Sequence, residues 1–451
     1  MHSENQHYWL KSGTITLLLN VQSLIFGFGS FYLLIRLLDK SSFGAWALFI
    51  ATTTFFEMAR NGLVQNGLIK FLSQENTNNH QAIQQASFTL STILMALCIG
   101  INTLLAPFLA DIWHYPQLLN LFIWYNIVFV LQGILSQFQW IEQAYFKFIG
   151  NLFSSILKQG IFFLYLLACY FELLTISLQM LLYVQIIAAA IALITQYFFV
   201  RKNIYLQFTG NIYWIKALFN YGKFSFGTSL GSIISNTVNQ LLLGAQLSTQ
   251  AAGAFNVMAK ISNLIDVPSN AVGAIVFPQS AKRFTDEGKD AIKYLYEKSV
   301  GTILGILFPS VLFLLLFPTF VVHTIAGNNY DEIIPYLRIL ILICLVTPYG
   351  RLFGTILDSI GKPKVNFIVI VLYSIMAITS NYLLINSYGL AGAVYATIIT
   401  DLIIFSVMQA ILYKLLRVNF LNTFIYAYQF YPDIFYIYII PKVKLMMAKR
   451  R

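Results

Sequence analysis

The chain has 451 residues, of which 58% are hydrophobic and 10% are charged, and its formal net charge is +11. Soluble domains carry about 25% charged residues, so this composition excludes a water-soluble fold. Apolar stretches of about 20 residues recur along the chain, as expected for membrane-spanning helices. Cys98, Cys169 and Cys344 lie within or beside such stretches, which predicts buried thiols rather than disulfides or a metal site.

Polar residues divide the chain into twelve apolar segments that are long enough to cross a bilayer as helices. In chain order the predicted segments are 13–38, 43–72, 84–111, 116–141, 147–171, 174–200, 213–246, 251–281, 295–322, 333–360, 365–386 and 390–416. The first segment exceeds the apolar core of a signal peptide, so we interpret it as a retained helix. The predicted fold class is an all-α polytopic membrane protein with about twelve transmembrane helices.

The lysine and arginine residues are distributed unequally between the two sides of the predicted membrane protein. With a cytoplasmic N-terminus, 21 of the 28 fall in cytoplasmic connections or the C-terminal tail, and Arg36 and Lys40 fall on the opposite side. The positive-inside rule therefore predicts that both termini are cytoplasmic. Attraction to anionic inner-leaflet lipid explains the net charge, and no nucleic-acid partner is required.

An internal repeat is predicted at an offset of 209 residues. "LDKSSFGAW" (38–46) aligns with "LSTQAAGAF" (247–255), and "QAIQ" (81–84) aligns with "DAIK" (290–293) at the same offset. Six crossings return the chain to its starting side, so the halves are predicted to be parallel repeats. We predict an N-terminal six-helix bundle at 1–205 and a C-terminal six-helix bundle at 206–418.

Residues 419–451 are predicted to form an aromatic and basic tail at the cytoplasmic face. A full crossing by 419–440 would carry the basic end "KVKLMMAKRR" across the membrane. Pro432 and Asp433 interrupt the segment, and its tyrosines suit the headgroup zone. We therefore interpret 419–440 as an interfacial segment.

Charged residues lie near the middle of predicted helices in both halves of the repeat. Glu57 and Arg60 occupy the second helix, and the offset aligns Glu57 with Asp266, which follows Lys260 in the eighth helix. A charge at the centre of a membrane helix costs about 2.5–3.5 kcal/mol on insertion scales. Glu57 and Arg60 could form a structural ion pair at i, i+3. Alternatively, these groups line a polar chamber between the two halves.

The sequence contains no convincing motif for a catalytic or metal site. "GTSLG" (227–231) matches the nucleophile-elbow pattern, but it lies within an apolar helix instead of a strand–turn–helix setting. The five histidines show no metal-ligand spacing. The external connections are too short to hold a catalytic domain, so we predict that the protein is not an enzyme.

Several stretches resemble the bacterial polysaccharide (O-antigen, Wzx-type) flippases, which belong to the superfamily that includes multidrug-and-toxin extruders. They are "LLIRLLDKSSFGAWALF" (33–49), "GLIKFLSQ" (67–74), "SIGKPK" (359–364) and "YGLAGAVYAT" (388–397). The resemblance implies a V-shaped pair of six-helix bundles that works by alternating access. The implied cargo is a polyprenyl-pyrophosphate-linked oligosaccharide of polysaccharide or O-antigen biosynthesis. The implied location is the bacterial inner membrane, with membrane lipids and a polysaccharide polymerase as partners.

The resemblance also implies a cationic lumen, for which Arg60, Lys158, Lys260 and Arg351 are the candidates in this sequence. Arginine and lysine side chains would bind the pyrophosphate. Glu57 and Asp266 are candidates for coupling to protons or sodium, and no other cofactor is predicted. A multidrug extruder of the same fold, with acidic and aromatic walls, is the main alternative. A membrane enzyme of lipid-linked glycan assembly is a further alternative, and the short loops weigh against it.

Overall fold

Helices form all the regular secondary structure in the residues that the computed structural model describes, which are 2–74, 77–145, 147–205, 211–265 and 267–434. They are α1 His2–Leu37, α2 Lys40–Gln74, α3 Thr77–Ile112, α4 Gln117–Ala144, α5 Ile149–Tyr170, α6 Leu178–Val200, α7 Ile212–Gln246, α8 Thr249–Ile265, α9 Val267–Asp286, α10 Lys289–Leu316, α11 Pro318–Ala326, α12 Ile334–Ile343, α13 Thr347–Ser359, α14 Pro363–Tyr388, α15 Leu390–Leu416 and α16 Phe420–Ile434. Every predicted apolar segment overlaps at least one helix. This pattern confirms the predicted all-α fold class.

Two of the predicted segments are each divided between two consecutive helices. Segment 295–322 comprises α10 and α11, and segment 333–360 comprises α12 and α13. The second helix of each pair has a proline among its first two residues. Proline lacks a backbone N–H, which costs nothing in the first turn of a helix, where that group has no intrahelical partner.

Eight helical stretches within the described ranges have the length and hydropathy needed to cross a membrane. They are Asn78–Ile112, Gln117–Ala144, Ile149–Tyr170, Leu178–Val200, Lys289–Leu316, Asn328–Ser359, Pro363–Tyr388 and Leu390–Leu416. Large apolar side chains on these helices face outward, such as Leu104, which is 79% exposed. This exposure suits contact with lipid chains. The protein is therefore a multi-pass membrane protein, and a total of twelve crossings stays a prediction.

The helices pack into two compact units, Met1–Gly253 and Ala254–Arg451, here called unit 1 and unit 2. Unit 1 includes α7, which the predicted division after residue 205 assigns to the C-terminal bundle. Two glycines allow α7 to pack closely along α2. A Cβ on Gly222 would lie 1.8 Å from the Leu63 carbonyl oxygen, and one on Gly67 would lie 3.1 Å from Leu218 Cδ2. The division into repeats at 205 stays a prediction.

In unit 2, α16 packs lengthwise on α10. The Glu297 carboxylate of α10 is buried and accepts a hydrogen bond from Asn419 N at 2.8 Å, just before α16 begins. Two turns further along α10, the Gly305 carbonyl accepts a hydrogen bond from Tyr431 Oη at 2.8 Å. The two helices therefore run in the same direction. The prediction of an interfacial segment did not foresee this packing, and the basic end of that segment lies outside the described residues.

In unit 1, a buried carboxylate fixes the start of α5. Glu142 of α4 is 4% exposed and accepts hydrogen bonds from Gly150 N and Asn151 N at 2.8 Å and from Gln196 Nε2 at 2.7 Å. The first N–H groups of a helix have no intrahelical partner, and a negative charge is favourable there. Glu142 therefore joins α4, α5 and α6 through one side chain.

Replacing Glu142 by alanine is expected to destabilise the protein by about 3 kcal/mol or more. Hydrogen bonds to a charged group contribute about 1.5–3 kcal/mol each, and the substitution leaves three buried donors without their acceptor. Thermal unfolding of the detergent-solubilised protein measures the loss. Glu172→Ala, at an exposed position after α5, is the matched control and is expected to unfold near the wild-type temperature. Equal unfolding temperatures for the two variants would contradict this role of Glu142.

Candidate functional site: a charged cavity in unit 1

A cavity of about 320 Å³ lies among α1, α2, α4, α5 and α6, all of which belong to unit 1. It is lined by Phe26, Gly27, Ser30, Glu57, Tyr125, Val128, Lys158, Gln159, Phe162, Gln185 and Ala188. The lining combines aromatic and aliphatic side chains with an acid, an amine and two amides. Every lining residue comes from unit 1, and the expected polar chamber between the two halves stays a prediction.

Glu57 contributes the carboxylate of the cavity from α2. Tyr125 Oη of α4 donates a hydrogen bond to Glu57 Oε1 at 2.9 Å. The Tyr125 ring is buried and packs edge-on against Phe49 and Phe129, with centroid distances of 5.2 and 4.8 Å. Because this packing fixes the tyrosine, the hydrogen bond fixes the orientation of the carboxylate. Glu57 Oε2 accepts no hydrogen bond from the described residues.

Lys158 contributes the amine from α5. Its Nζ donates a hydrogen bond to Gln132 Oε1 at 2.6 Å. A lysine ammonium has three N–H groups, so two of them make no hydrogen bond to the described part of the chain. Lys158 and the carboxylate Glu57 line the same cavity. The cavity therefore presents a positive group that is oriented by a neutral amide and has donors available.

Arg60 is placed differently from the expected lumen cation. It is 2% exposed and does not line the cavity. Arg60 Nη1 donates to the Phe129 carbonyl at 3.2 Å, and Nε and Nη2 donate to Asn61 Oδ1 at 3.2 and 3.0 Å. The guanidinium therefore connects α2 to the backbone of α4. In this conformation it contributes positive charge behind the cavity instead of a contact surface within it.

The alternative of a direct ion pair between Glu57 and Arg60 does not hold in the structure. No nitrogen–oxygen distance between these two described residues is within 4.0 Å. Each side chain has another partner, the Tyr125 hydroxyl for Glu57 and the Phe129 carbonyl for Arg60. Glu57 therefore faces the cavity without an arginine partner, and Lys158 is the cation that lines the same cavity.

Polar side chains next to the cavity form hydrogen bonds between α1 and α5. Gln22 Nε2 donates to Ser155 Oγ at 2.8 Å, and Gln159 Nε2 donates to Ser155 Oγ and Ser23 Oγ at 3.2 Å. Ser155, Lys158 and Gln159 share one face of α5 because they are three and four residues apart. The sequence prediction missed Gln159, Gln185 and Tyr125. The spacing of Ser155, Lys158 and Gln159 within an apolar helix was the available signal.

The other predicted site residues belong to unit 2. Lys260 lies on α8 and Arg351 on α13, and both side chains are exposed. Asp266 lies outside the described residues. Of the six predicted residues, the structure brings Glu57, Arg60 and Lys158 together in unit 1. The roles of all six as substrate or coupling residues stay predictions.

The sequence matches the profile of a family described as "Polysaccharide biosynthesis protein" over residues 33–335. The chain belongs to the polysaccharide biosynthesis protein family. This membership confirms the resemblance that the sequence motifs indicated.

Several curated proteins are similar to this family member. "Uncharacterized membrane protein MJ1068" of Methanocaldococcus jannaschii is 26% identical over 46% of this chain and 41% of its own length. "Probable low-salt glycan biosynthesis flippase Agl15" of Haloferax volcanii is 22% identical over 40% of this chain and 39% of its own length. "Lipopolysaccharide biosynthesis protein WzxC" of Escherichia coli is 21% identical over 74% of this chain and 66% of its own length. The chain thus spans about two fifths of the first two relatives.

Solved structures of transporters share the fold of this polysaccharide biosynthesis protein. An inward-facing multidrug resistance MATE family transporter of the MOP superfamily superposes with a TM-score of 0.74 at 16% identity, over 86% of this chain and 94% of the transporter. The inward closed conformation of the lipid II flippase MurJ superposes with a TM-score of 0.72 at 13% identity, over 94% and 93%. These likenesses confirm the predicted MATE-like fold.

Proposed function

We propose that this polysaccharide biosynthesis protein flips a polyprenyl-pyrophosphate-linked oligosaccharide across the cytoplasmic membrane by alternating access. The observation that carries the proposal is the cavity of unit 1, where Lys158 offers an ammonium group beside amide side chains inside a membrane protein of this family. Relatives whose names describe a glycan biosynthesis flippase and a lipopolysaccharide biosynthesis protein support it.

The chemistry of the cavity suits part of such a cargo. Charge-assisted hydrogen bonds from an ammonium to phosphate oxygens are roughly twice as strong as neutral ones. The amides of Gln159 and Gln185 can pair with sugar hydroxyls, and the faces of Phe26 and Phe162 offer apolar contact. At about 320 Å³ the cavity holds only a small portion of a lipid-linked oligosaccharide. The rest of the cargo requires the protein to open, as alternating access implies.

A multidrug extruder of the same fold is the second candidate. Glu57 favours it, because a carboxylate with a free oxygen beside an aromatic wall also suits an organic cation. Lys158 in the same cavity opposes it, because the ammonium repels a cationic ligand. Coupling to a proton or sodium gradient through Glu57 and Asp266, a cytoplasmic position for both termini, and a polymerase partner stay predictions. We also propose that the protein catalyses no chemical step.

Deletion of the gene tests the proposal. We expect lipid-linked oligosaccharide to accumulate on the cytoplasmic side and surface polysaccharide to be lost, and we expect a plasmid copy of the gene to restore both. Sensitivity of the deletion strain to organic cations is measured in parallel. Normal surface polysaccharide together with raised drug sensitivity would favour the extruder and contradict the flippase.

A further inference from the structure

A half-buried carboxylate, Asp401, lies in unit 2, where α14 and α15 pack together. Tyr373 Oη of α14 donates a hydrogen bond to Asp401 Oδ1 of α15 at 2.8 Å. The pair borders a small cavity of about 90 Å³. Its lining is Val346, Thr347, Gly350, Tyr373, Asp401, Ile404, Phe405 and Met408. Neither residue belongs to the candidate site of unit 1, and the proposed binding of the glycan does not use them.

Asp401 has no counter-cation among the residues that the structure describes. Within the described residues, no lysine or arginine nitrogen lies within 4.0 Å of its carboxylate. None of the charged side chains of the helices that contact α15 lines this cavity. Arg338 of α12 and Arg351 and Asp358 of α13 are exposed, and Glu297 of α10 binds the start of α16. The remaining charged groups of these helices are Lys364 of α14 and Lys289, Asp290, Lys293 and Lys298 of α10, and none of them borders the cavity.

Glu57 of unit 1 and Asp401 of unit 2 differ in whether a cation lines the same cavity. Glu57 shares its cavity with Lys158, so the two charges offset each other. The other side chains that line the Asp401 cavity are neutral, and an unbalanced charge within a membrane helix is costly. Binding of a cation from solution removes this cost.

The lining of the cavity favours a proton over a metal cation. Oδ1 accepts the Tyr373 hydrogen bond, so a proton on Oδ2 leaves that bond intact and makes the pair neutral. A hard metal cation requires several oxygen ligands. Apart from the carboxylate, the side chains of this lining supply two oxygens, the hydroxyls of Tyr373 and Thr347.

We propose that Asp401 is a proton-binding site of unit 2 that alternates between the carboxylate and the carboxylic acid during transport. The O–H bond at Oδ2 forms as an O–H bond of a hydronium ion breaks, and release of the proton to water reverses this step. Tyr373 is the positioning residue that holds Oδ1. The link to transport rests on the proposed function, whereas the protonation itself does not.

Infrared difference spectroscopy of the purified full-length protein across a pH titration tests the protonation. We expect a titrating carboxylic-acid carbonyl band that Asp401→Asn removes and Glu57→Gln, the matched control, retains. Tyr373→Phe should keep the band but shift its frequency and midpoint, because the hydrogen bond to Oδ1 is lost. An unchanged band in Asp401→Asn would overturn the proposal. Loss of the band when sodium replaces choline would show that the site binds sodium, and this result would also overturn the proposal.

Transport in proteoliposomes with and without a pH gradient tests the role. We expect the gradient to accelerate glycan flipping by the wild type and to have no effect on Asp401→Asn. If Asp401→Asn responds to the gradient as the wild type does, the transport role fails and the flippase function stands. If the wild type flips no glycan while the Asp401 band still titrates, the proposed function fails and the proton site stands.

Discussion

Replacing Lys158 by alanine is expected to reduce flipping of lipid-linked oligosaccharide by roughly 10- to 100-fold. Hydrogen bonds to a charged group contribute about 1.5–3 kcal/mol, and each 1.4 kcal/mol corresponds to a factor of ten. Lys158 is the amine that faces the cavity, and two of its N–H groups have no hydrogen bond to the described residues. Recovery of surface polysaccharide in the deletion strain, normalised to protein level in the membrane, measures the effect.

Two controls accompany the Lys158 variant. Lys364→Ala removes an exposed lysine at the start of α14 and is expected to flip at the wild-type rate. The double variant Glu57→Gln with Lys158→Gln separates the two roles that Lys158 can have. If Lys158 binds the anionic cargo, the double variant stays inactive. If it serves only to balance Glu57, the double variant regains activity, and the proposed contact with the cargo is refuted.

A disulfide between the starts of α2 and α8 is expected to abolish transport. Ser41 Oγ and Thr249 Oγ1, both of unit 1, are 3.1 Å apart. A Cβ on Gly44 would lie 1.8 Å from the Thr249 carbonyl, and one on Gly253 would lie 3.0 Å from Gly44 Cα. The backbones therefore touch here. Gly44 and Gly253 are equivalent under the predicted offset of 209, so we expect this contact to open during alternating access.

The double variant Ser41→Cys with Thr249→Cys tests this contact in a background without the native cysteines. Oxidation should stop flipping almost completely, and a reductant should restore it, because alternating access requires the contact to open. Each single-cysteine variant is the control and is expected to transport equally with and without oxidant. Wild-type transport by the cross-linked double variant would show that this contact stays closed throughout the cycle.

Helices and fold class were predictable from the sequence because apolar runs are a local property. Breaks within the runs were harder to predict. Pro348 lies in the first turn of α13, whereas Pro309 lies inside α10. A proline inside a helix leaves one backbone carbonyl without its N–H partner. Whether the helix continues through the proline therefore depends on the neighbouring helices, which the sequence of one segment does not reveal.

The candidate site was predictable only in part. A charge at bilayer depth singled out Glu57, Arg60 and Lys158, because such residues are costly without a role. The direction in which each side chain points follows from tertiary packing. Arg60 reaches the Phe129 carbonyl of α4, and Glu57 pairs with Tyr125, which is 68 positions away in sequence. The spacing of three residues between Glu57 and Arg60 suggested an ion pair that these distant partners replace.

Flipping by the purified protein in proteoliposomes is the most direct measurement of the proposed function. A polyprenyl-pyrophosphate-linked oligosaccharide is placed in one leaflet, and its sugar becomes accessible to a membrane-impermeant glycosidase only after it crosses. We predict rapid exposure with the wild type, and exposure near the level of protein-free vesicles with Lys158→Ala. Wild-type vesicles that expose the sugar no faster than protein-free vesicles would contradict the flippase function, and equal rates for both proteins would contradict the role of the unit 1 cavity.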